Sequence, residues 1–192
     1  MQSLFTRQQF SQRRNALMQW MGSDSIAVLP AAPQYIRNRD ADYRYRQDSD
    51  FYYLSGFAEP ESVLCIIPNR PLGEFVLFCR ERDREREIWD GYRAGLEGAI
   101  EQYGADESYP IAKLDEIMPT LMEGKKKLYV NLGGHADFDT KVINWLNSIR
   151  AKARQGAKAP AELLMLNHLL HELRLYKSAE ELAVMRKAAT IS

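Results

Sequence analysis

Histidine and cysteine often carry metal or nucleophilic chemistry, and the sequence has three histidines and two cysteines. His168 and His171 stand three residues apart, whereas the helical zinc-ligand motif needs four-residue spacing and an intervening glutamate. Cys65 and Cys79 lie in apolar runs without the C-x-x-C spacing of zinc or redox pairs. We interpret all four as structural residues, so the residue types and spacings predict no self-contained catalytic set.

Carboxylates are concentrated in a polar segment, residues 34–50, which holds four aspartates and four arginines. Because the two charges alternate along the segment, we expect ion pairs there and not a bare carboxylate cluster that binds a divalent cation. Three tyrosines in the same segment favour an ordered surface loop over a flexible linker.

Composition and charge exclude several broad classes of protein. The chain has 192 residues, with 26 Lys and Arg against 26 Asp and Glu, so it lacks the basic surplus with which nucleic-acid binders neutralise phosphates. No apolar stretch approaches the ~18 residues that cross a bilayer, and residues 1–7 lack the apolar region of a signal peptide. We therefore expect no nucleic-acid partner, no membrane partner and a cytoplasmic location.

Apolar periodicity predicts an α/β domain. A helix capped by Thr6 and ending at Met21, and a helix from Phe138 to Ile149, have helical spacing. Residues 80–87 alternate in charge and are predicted to be a solvated strand extension or turn. Short aromatic and β-branched runs predict strands at residues 25–29, 51–55, 62–67, 75–79 and 127–132. Pro and Gly between the second, third and fourth runs predict hairpins, and the fold class is α/β, a mixed β-sheet with flanking helices.

The end of the sequence predicts a helix that has only begun. Ser178 and Glu181 have the spacing of a capping box, in which each side chain pairs with the other residue's backbone N–H. The helix would continue through Leu182 and Met185, yet the sequence stops at Ser192 without a Gly or Pro terminator. We therefore expect the chain to be part of a larger protein, and the alternative is a natural C-terminal helix of ordinary length.

Three blocks carry a family resemblance. They are Tyr45–Phe57 with Glu59–Glu61, then Glu87–Arg93, then His171–Ser178 through Glu180 and Glu181, and they follow one another across nearly the whole chain. In this order they resemble the N-terminal domain of bacterial Xaa-Pro aminopeptidase (aminopeptidase P), of the creatinase and prolidase-like family.

The resemblance implies a two-domain parent enzyme. Residues 1–175 would be its N-terminal domain, and residues 176–192 a linker with the first helix of a C-terminal "pita-bread" peptidase domain that is absent here. The parent would release the N-terminal residue from peptides that have proline second, using two Mn²⁺ ions held by Asp, His and Glu of the absent domain. We therefore expect no catalytic residue, no metal site and no cofactor in this chain, and no activity from it alone.

The resemblance also implies partners: the C-terminal peptidase domain, further copies of the chain in a dimer or tetramer, and proline-containing peptides. The family's entrance-lining positions match Asp40, Trp89 and Arg154, contributed to the chain's own or a neighbouring subunit. Trp89 would offer a flat apolar face to a proline ring, and Asp40 with Arg154 would gate the pocket or bind a peptide end. The structural alternatives are a core position for Trp89 and ordinary surface charges for the other two.

Two other functions use the same fold. One is a free-standing protein-binding or peptide-binding module whose relatives have lost their metals. The other is the N-terminal domain of a prolidase or a creatinase. The sequence blocks around Phe51 and Trp89 favour the aminopeptidase.

Overall fold

The computed structural model describes residues 5–191, except for the side chain of Asp90. The predicted absence of a leader at the N-terminus therefore rests partly on residues outside this range. The helices are α1 Arg7–Met21, α2 Ser49–Ser55, α3 Arg84–Asp90, α4 Gly95–Glu101, α5 Leu114–Met122, α6 Ala136–Ala151, α7 Leu166–Leu175 and α8 Ala179–Ile191. The strands are β1 Ser25–Pro30, β2 Ile36–Asn38, β3 Ala41–Asp42, β4 Val63–Ile66, β5 Phe75–Cys79, β6 Glu107–Pro110, β7 Lys127–Tyr129 and β8 Glu162–Leu164.

The main sheet is mixed, as predicted, and has the strand order β6-β5-β4-β1-β7-β8. β4 is antiparallel to both β1 and β5, whereas β1 is parallel to β7, β7 to β8 and β5 to β6. Every strand of this sheet except β4 therefore runs in the same direction. The connections that leave β1 at Pro30 and β5 at Cys79 emerge at one end of the sheet, which we call the carboxyl edge. The end at which β1 and β7 begin is the amino edge.

Helices cover both faces of the main sheet. Ala27 and Leu29 of β1 belong to a core shared with α1, α2, α4 and α7. Ile26 and Val28 alternate with them and belong to a second core, shared with α5 and α6. A strand buried on both faces reads as one continuous apolar run, which is why periodicity identified β1 from its sequence.

The predicted helix ends of α1 and α8 are confirmed. Thr6 and Gln9 form a capping box at the start of α1, and Gly22 follows its last residue. At α8 the Ser178 N–H donates to Glu181 Oε2 at 2.8 Å, and the Glu181 N–H donates to Ser178 Oγ at 3.2 Å. Within residues 5–191, no helix has both the length and the hydropathy needed to cross a bilayer.

The predicted strand at residues 51–55 is wrong, because these residues form α2. The Asp48 carboxylate accepts from the N–H groups of Asp50 and Phe51, each at 2.9 Å, and caps the helix. Gly56 ends the helix in the left-handed conformation, with φ of 67°. The two caps outweigh the strand preference of the aromatic residues between them. The predicted hairpin from this segment to β4 is wrong for the same reason, whereas the β4–β5 hairpin is confirmed.

The charged stretch 80–87 also differs from the prediction. Its second half belongs to α3, because the Asp83 carboxylate accepts from the N–H groups of Glu85 and Arg86 at 3.1 and 3.2 Å. The segment 34–50 is ordered, as predicted, but contains the short hairpin β2–β3.

Candidate functional site

Trp89 lies on an arm, residues 80–94, that connects β5 to α4 at the carboxyl edge. Its side chain is 88% exposed, which excludes the core position that the sequence left open. Ile88 beside it is 79% exposed, and Tyr92 is exposed as well. Three neighbouring large apolar side chains in solvent are uncommon and are typical of a binding surface.

Contacts within the arm give it a defined shape. The Arg82 guanidinium donates twice to the Glu87 carboxylate, at 3.1 Å each, and lies 5.0 Å from the centre of the Tyr92 ring. The hydrogen bond from Arg82 lowers the pKa of Glu87 and keeps this carboxylate charged. The aliphatic part of Arg82 covers Gly95, where a Cβ would stand 2.4 Å from Arg82 Cγ. The turn from α3 into α4 therefore needs glycine at this position.

Asp40 lies in the tight turn of the β2–β3 hairpin and is exposed. The preceding residue, Arg39, adopts a positive φ of 45° to make the turn. The expected ion pairs within residues 34–50 are not formed in the described structure. Asp42 accepts a hydrogen bond from Gln34 Nε2 at 2.7 Å, and Asp50 pairs with Arg174 from α7. The prediction was wrong because the hairpin and the start of α2 direct these carboxylates to partners other than the neighbouring arginines.

Arg154 lies in the single-turn 3₁₀ helix Ala153–Gln155 that follows α6, and it is exposed. The connection that contains it lies at the amino edge: the Gly124 N–H donates to the Lys158 carbonyl at 2.8 Å, just before β7 begins. α6 starts beyond the end of β7 and runs antiparallel to that strand, so its C-terminus and Arg154 lie at the opposite end of the sheet from Trp89.

The structure therefore separates the three predicted site residues into two groups. The connections that carry Asp40 and Trp89 leave the sheet at the carboxyl edge, on either side of β4. Arg154 belongs to the amino edge. Within residues 5–191, no hydrogen bond or ion pair links any two of the three.

A buried polar cluster beneath the carboxyl edge was missed by sequence reasoning. The side-chain oxygen of Gln47 accepts from the Ala32 N–H, the Asp48 N–H and the Tyr45 hydroxyl, all at 2.9 Å. The amide nitrogen of Gln47 donates to the Glu59 carbonyl at 2.9 Å. The sequence did mark both residues, since Gln47 and Glu59 lie in the first block that resembles the family. No role was assigned to either side chain from the sequence.

The Glu59 carboxylate extends from this cluster to the arm. Its Oε1 accepts from the Ala94 N–H at 2.8 Å, and its Oε2 lies 3.6 Å from Arg80 Nη2. Burial raises the pKa of Glu59, opposed by the Ala94 hydrogen bond and the charge of Arg80. The arm that presents Trp89 is thus connected to the fold by a buried carboxylate.

A cleft of about 1020 Å³ opens on another side, between α1, α2, α7 and α8. Arg13 and Glu181 form an ion pair of 3.0 Å across it, and the Arg13 guanidinium lies 4.3 Å from the centre of the Tyr53 ring. Burial raises the pKa of the Tyr53 hydroxyl, which stays neutral. His171 lines the cleft and is exposed, and residues 5–191 contain no group of three or more His, Cys, Asp or Glu placed to hold a metal ion.

Comparison with known sequences identifies relatives over nearly the whole chain. The family model for the aminopeptidase P N-terminal domain matches residues 10–129. Xaa-Pro aminopeptidase of Escherichia coli is 39% identical over 191 residues, which are 99% of this chain and 43% of the relative. Human Xaa-Pro aminopeptidase 3 is 30% identical, over 89% of this chain and 34% of its own length. The chain thus spans less than half the length of these relatives.

Solved structures give the same result. Pseudomonas aeruginosa aminopeptidase PepP is 57% identical and superimposes with a TM-score of 0.96, over 100% of this chain and 43% of its own. Zinc-substituted E. coli aminopeptidase P in complex with product is 39% identical, with a TM-score of 0.92 over 97% of this chain and 43% of that structure.

Proposed function

Because the chain belongs to the family of aminopeptidase P N-terminal domains, we propose that it serves as the non-catalytic domain of a Xaa-Pro aminopeptidase. Its role is to take part in assembly and to narrow the entrance to the active site. The parent enzyme releases the N-terminal residue from peptides with proline second. Relatives that extend well beyond the matched region support this function over a free-standing binding module.

The exposure of Trp89 is the observation that carries the proposal. Leaving an indole in water forgoes about 2–3 kcal/mol of burial free energy, so such a side chain is retained where it is covered in the working assembly. Proline-containing peptides suit this surface, because an aromatic face packs well against a pyrrolidine ring.

The positions of Asp40 and Arg154 support an assembly of several subunits. One chain places them at opposite edges of the sheet, so a single entrance can receive both only from different subunits. We propose a homo-oligomer, dimer or tetramer, in which the carboxyl edge of one subunit meets the amino edge of another at the active-site entrance. Arg154 of one subunit then lies at the same active-site entrance as Asp40 and Trp89 of another subunit and adds a positive charge there.

No metal-dependent step is assigned to the side chains of this chain. The described residues offer no set of three or more ligands, so they do not fit the two-metal centre that the family implies. The two Mn²⁺ ions are proposed for the C-terminal peptidase domain of the parent, whose ligands lie outside this chain. The cytoplasmic location stays a prediction.

Replacing Trp89 with alanine tests the entrance role. In the full-length enzyme we expect Trp89→Ala to raise KM for peptides of five or more residues by about tenfold, the equivalent of ~1.4 kcal/mol of lost packing. KM for a Xaa-Pro dipeptide and the thermal stability should stay unchanged. Trp20→Ala, at a half-exposed tryptophan near the end of α1, is the control. An equal loss for short and long peptides, or a loss of stability with unchanged KM, would contradict the proposal.

A further inference from the structure

Apolar packing positions the arm that carries Trp89 only at its last residue, Ala94, which lies in the core. Every described side chain of α3 is exposed or half-buried. α3 has seven residues, too few for a helix that is stable without tertiary contacts. The position of Trp89 therefore depends on polar contacts that fix the two ends of the arm.

Glu59 connects these two ends. Its Oε1 accepts from the N–H of Ala94, where the arm returns to the fold, at 2.8 Å. Its Oε2 lies 3.6 Å from the guanidinium of Arg80, where the arm leaves β5. The pair Arg82–Glu87, in contrast, joins residues within the arm.

Glu59 is itself held rigidly. Its backbone carbonyl accepts from Gln47 Nε2 at 2.9 Å and from Ser62 Oγ at 3.1 Å. Its side chain is 14% exposed, and a carboxylate at this depth is costly unless its oxygens are paired. Glu59 Oε2 has no hydrogen-bond partner among the described residues, so the cost is offset by the Ala94 hydrogen bond to Oε1 and by the charge of Arg80, and both of these partners belong to the arm.

We infer that Glu59 is a positioning residue whose carboxylate holds both ends of the arm and so fixes Trp89 at the carboxyl edge. This inference rests on the proposed function, in which Trp89 contacts the peptide. Glu59 does not touch the peptide and acts through Ala94 and Arg80. Its removal lets the arm move and weakens the binding of peptides long enough to reach Trp89.

Limited trypsin digestion of this chain measures the mobility of the arm directly, because the arm contains Arg84 and Arg86. We expect Glu59→Ala to speed cleavage after these residues about tenfold, the effect of ~1.4 kcal/mol on a local opening equilibrium. Glu59→Gln keeps an acceptor for the Ala94 N–H but loses the ion pair with Arg80, so it should restore only part of the protection. Glu61→Gln is the matched control, since Glu61 is 62% exposed and 3.8 Å from the same Arg80.

Cleavage after Arg150, on α6, reports general unfolding in the same digests. A rise confined to the arm supports the inference. An unchanged rate in the arm, or an equal rise after Arg150, overturns it.

Kinetics of the full-length enzyme then test the consequence for substrate. We expect Glu59→Ala to raise KM for long peptides about fivefold, as for the loss of one buried hydrogen bond, with kcat and dipeptide KM unchanged. Trp89→Ala is measured in parallel. If only Trp89→Ala raises KM, the positioning role of Glu59 is overturned and the entrance role of Trp89 stands. If neither variant raises KM, the proposed function fails, and this inference fails with it.

Discussion

Gly56 shows how closely a single position can depend on its residue type. It follows α2 with a φ of 67°, and a Cβ at this position would stand 2.5 Å from Cε2 of the buried Phe10 ring. Both the left-handed backbone and the contact with α1 therefore require glycine.

We expect Gly56→Ala to lower the free energy of unfolding by about 2–4 kcal/mol, combining backbone strain with overpacking against Phe10. Urea denaturation at constant m-value measures the loss. Gly124→Ala separates the two causes, because Gly124 has a φ of 80° but no atom within 4 Å of a new Cβ. We expect about 1 kcal/mol there, and equal losses at the two sites would show that the ring contact is unimportant.

Among the elements, apolar periodicity identified α1, β1, β4, β5 and α6, whose faces pack in the two cores. It failed for α2, where Phe51 and Leu54 are three residues apart and both buried, a spacing that fits a helix as well as an aromatic strand. The caps at Asp48 and Gly56 make residues 49–55 a helix, and both cap residues can be recognised in the sequence.

The site could be predicted less fully. The sequence left two alternatives for Trp89, a core position and an exposed one. The distance between Arg154 and Trp89 depends on the directions of the strands, which no local sequence pattern determines. The role of the Glu59 side chain depends on a contact with Ala94, 35 residues away, and such a contact follows only from the tertiary fold.

α5 and α6 are joined by Asp115. Its carboxylate accepts from Lys141 Nζ and, at 2.9 Å, from Trp145 Nε1. Partial burial raises the pKa of Asp115, but the hydrogen bonds from Lys141 and Trp145 outweigh it, so the pKa lies below its ordinary value of 3.8. A carboxyl with a lowered folded-state pKa adds stability above its unfolded-state pKa and loses it as pH falls through the folded-state pKa.

We expect Asp115→Asn to cost about 0.5–1 kcal/mol near neutral pH, a modest value because the pair is half-exposed. The difference from the parent chain should shrink as pH falls below about 4 and disappear once the carboxyl is protonated in both the folded and the unfolded state. Chemical denaturation across this range measures it, with Glu123→Gln at the end of α5 as the charge control. A difference that is constant with pH would contradict the assigned cause.

At the scale of the whole molecule, the C-terminal helices contribute unequally to the domain. Leu166 and Leu170 of α7 are fully buried in the core below the sheet face that α1 and α2 cover. α8 buries no described side chain, and the ion pair between Arg13 and Glu181 joins it to α1. This difference matches the predicted boundary between residues 1–175 and 176–192, which stays a prediction.

Two truncations test the boundary. A chain that ends after residue 175 should keep its melting temperature to within about 4 °C, because α8 buries no described side chain and Arg13, which faces solvent once α8 is gone, loses only ~1 kcal/mol of pairing. A chain that ends after residue 165 loses the two buried leucines and should be destabilised by about 5 kcal/mol or more. Thermal denaturation followed by circular dichroism compares them. If the chain that ends after residue 175 is destabilised as strongly as the chain that ends after residue 165, α8 belongs to the same cooperative unit and the boundary is wrong.

The hydrogen bonds of Gln47 show that the first block of family resemblance, Tyr45–Phe57, serves the folding of the domain. Its amide closes the connection between β1 and α2 and carries no reacting group. Without this amide the Ala32 N–H, the Asp48 N–H and the Glu59 carbonyl would lose these partners, so the stretch reports the shape of the domain and not a reaction.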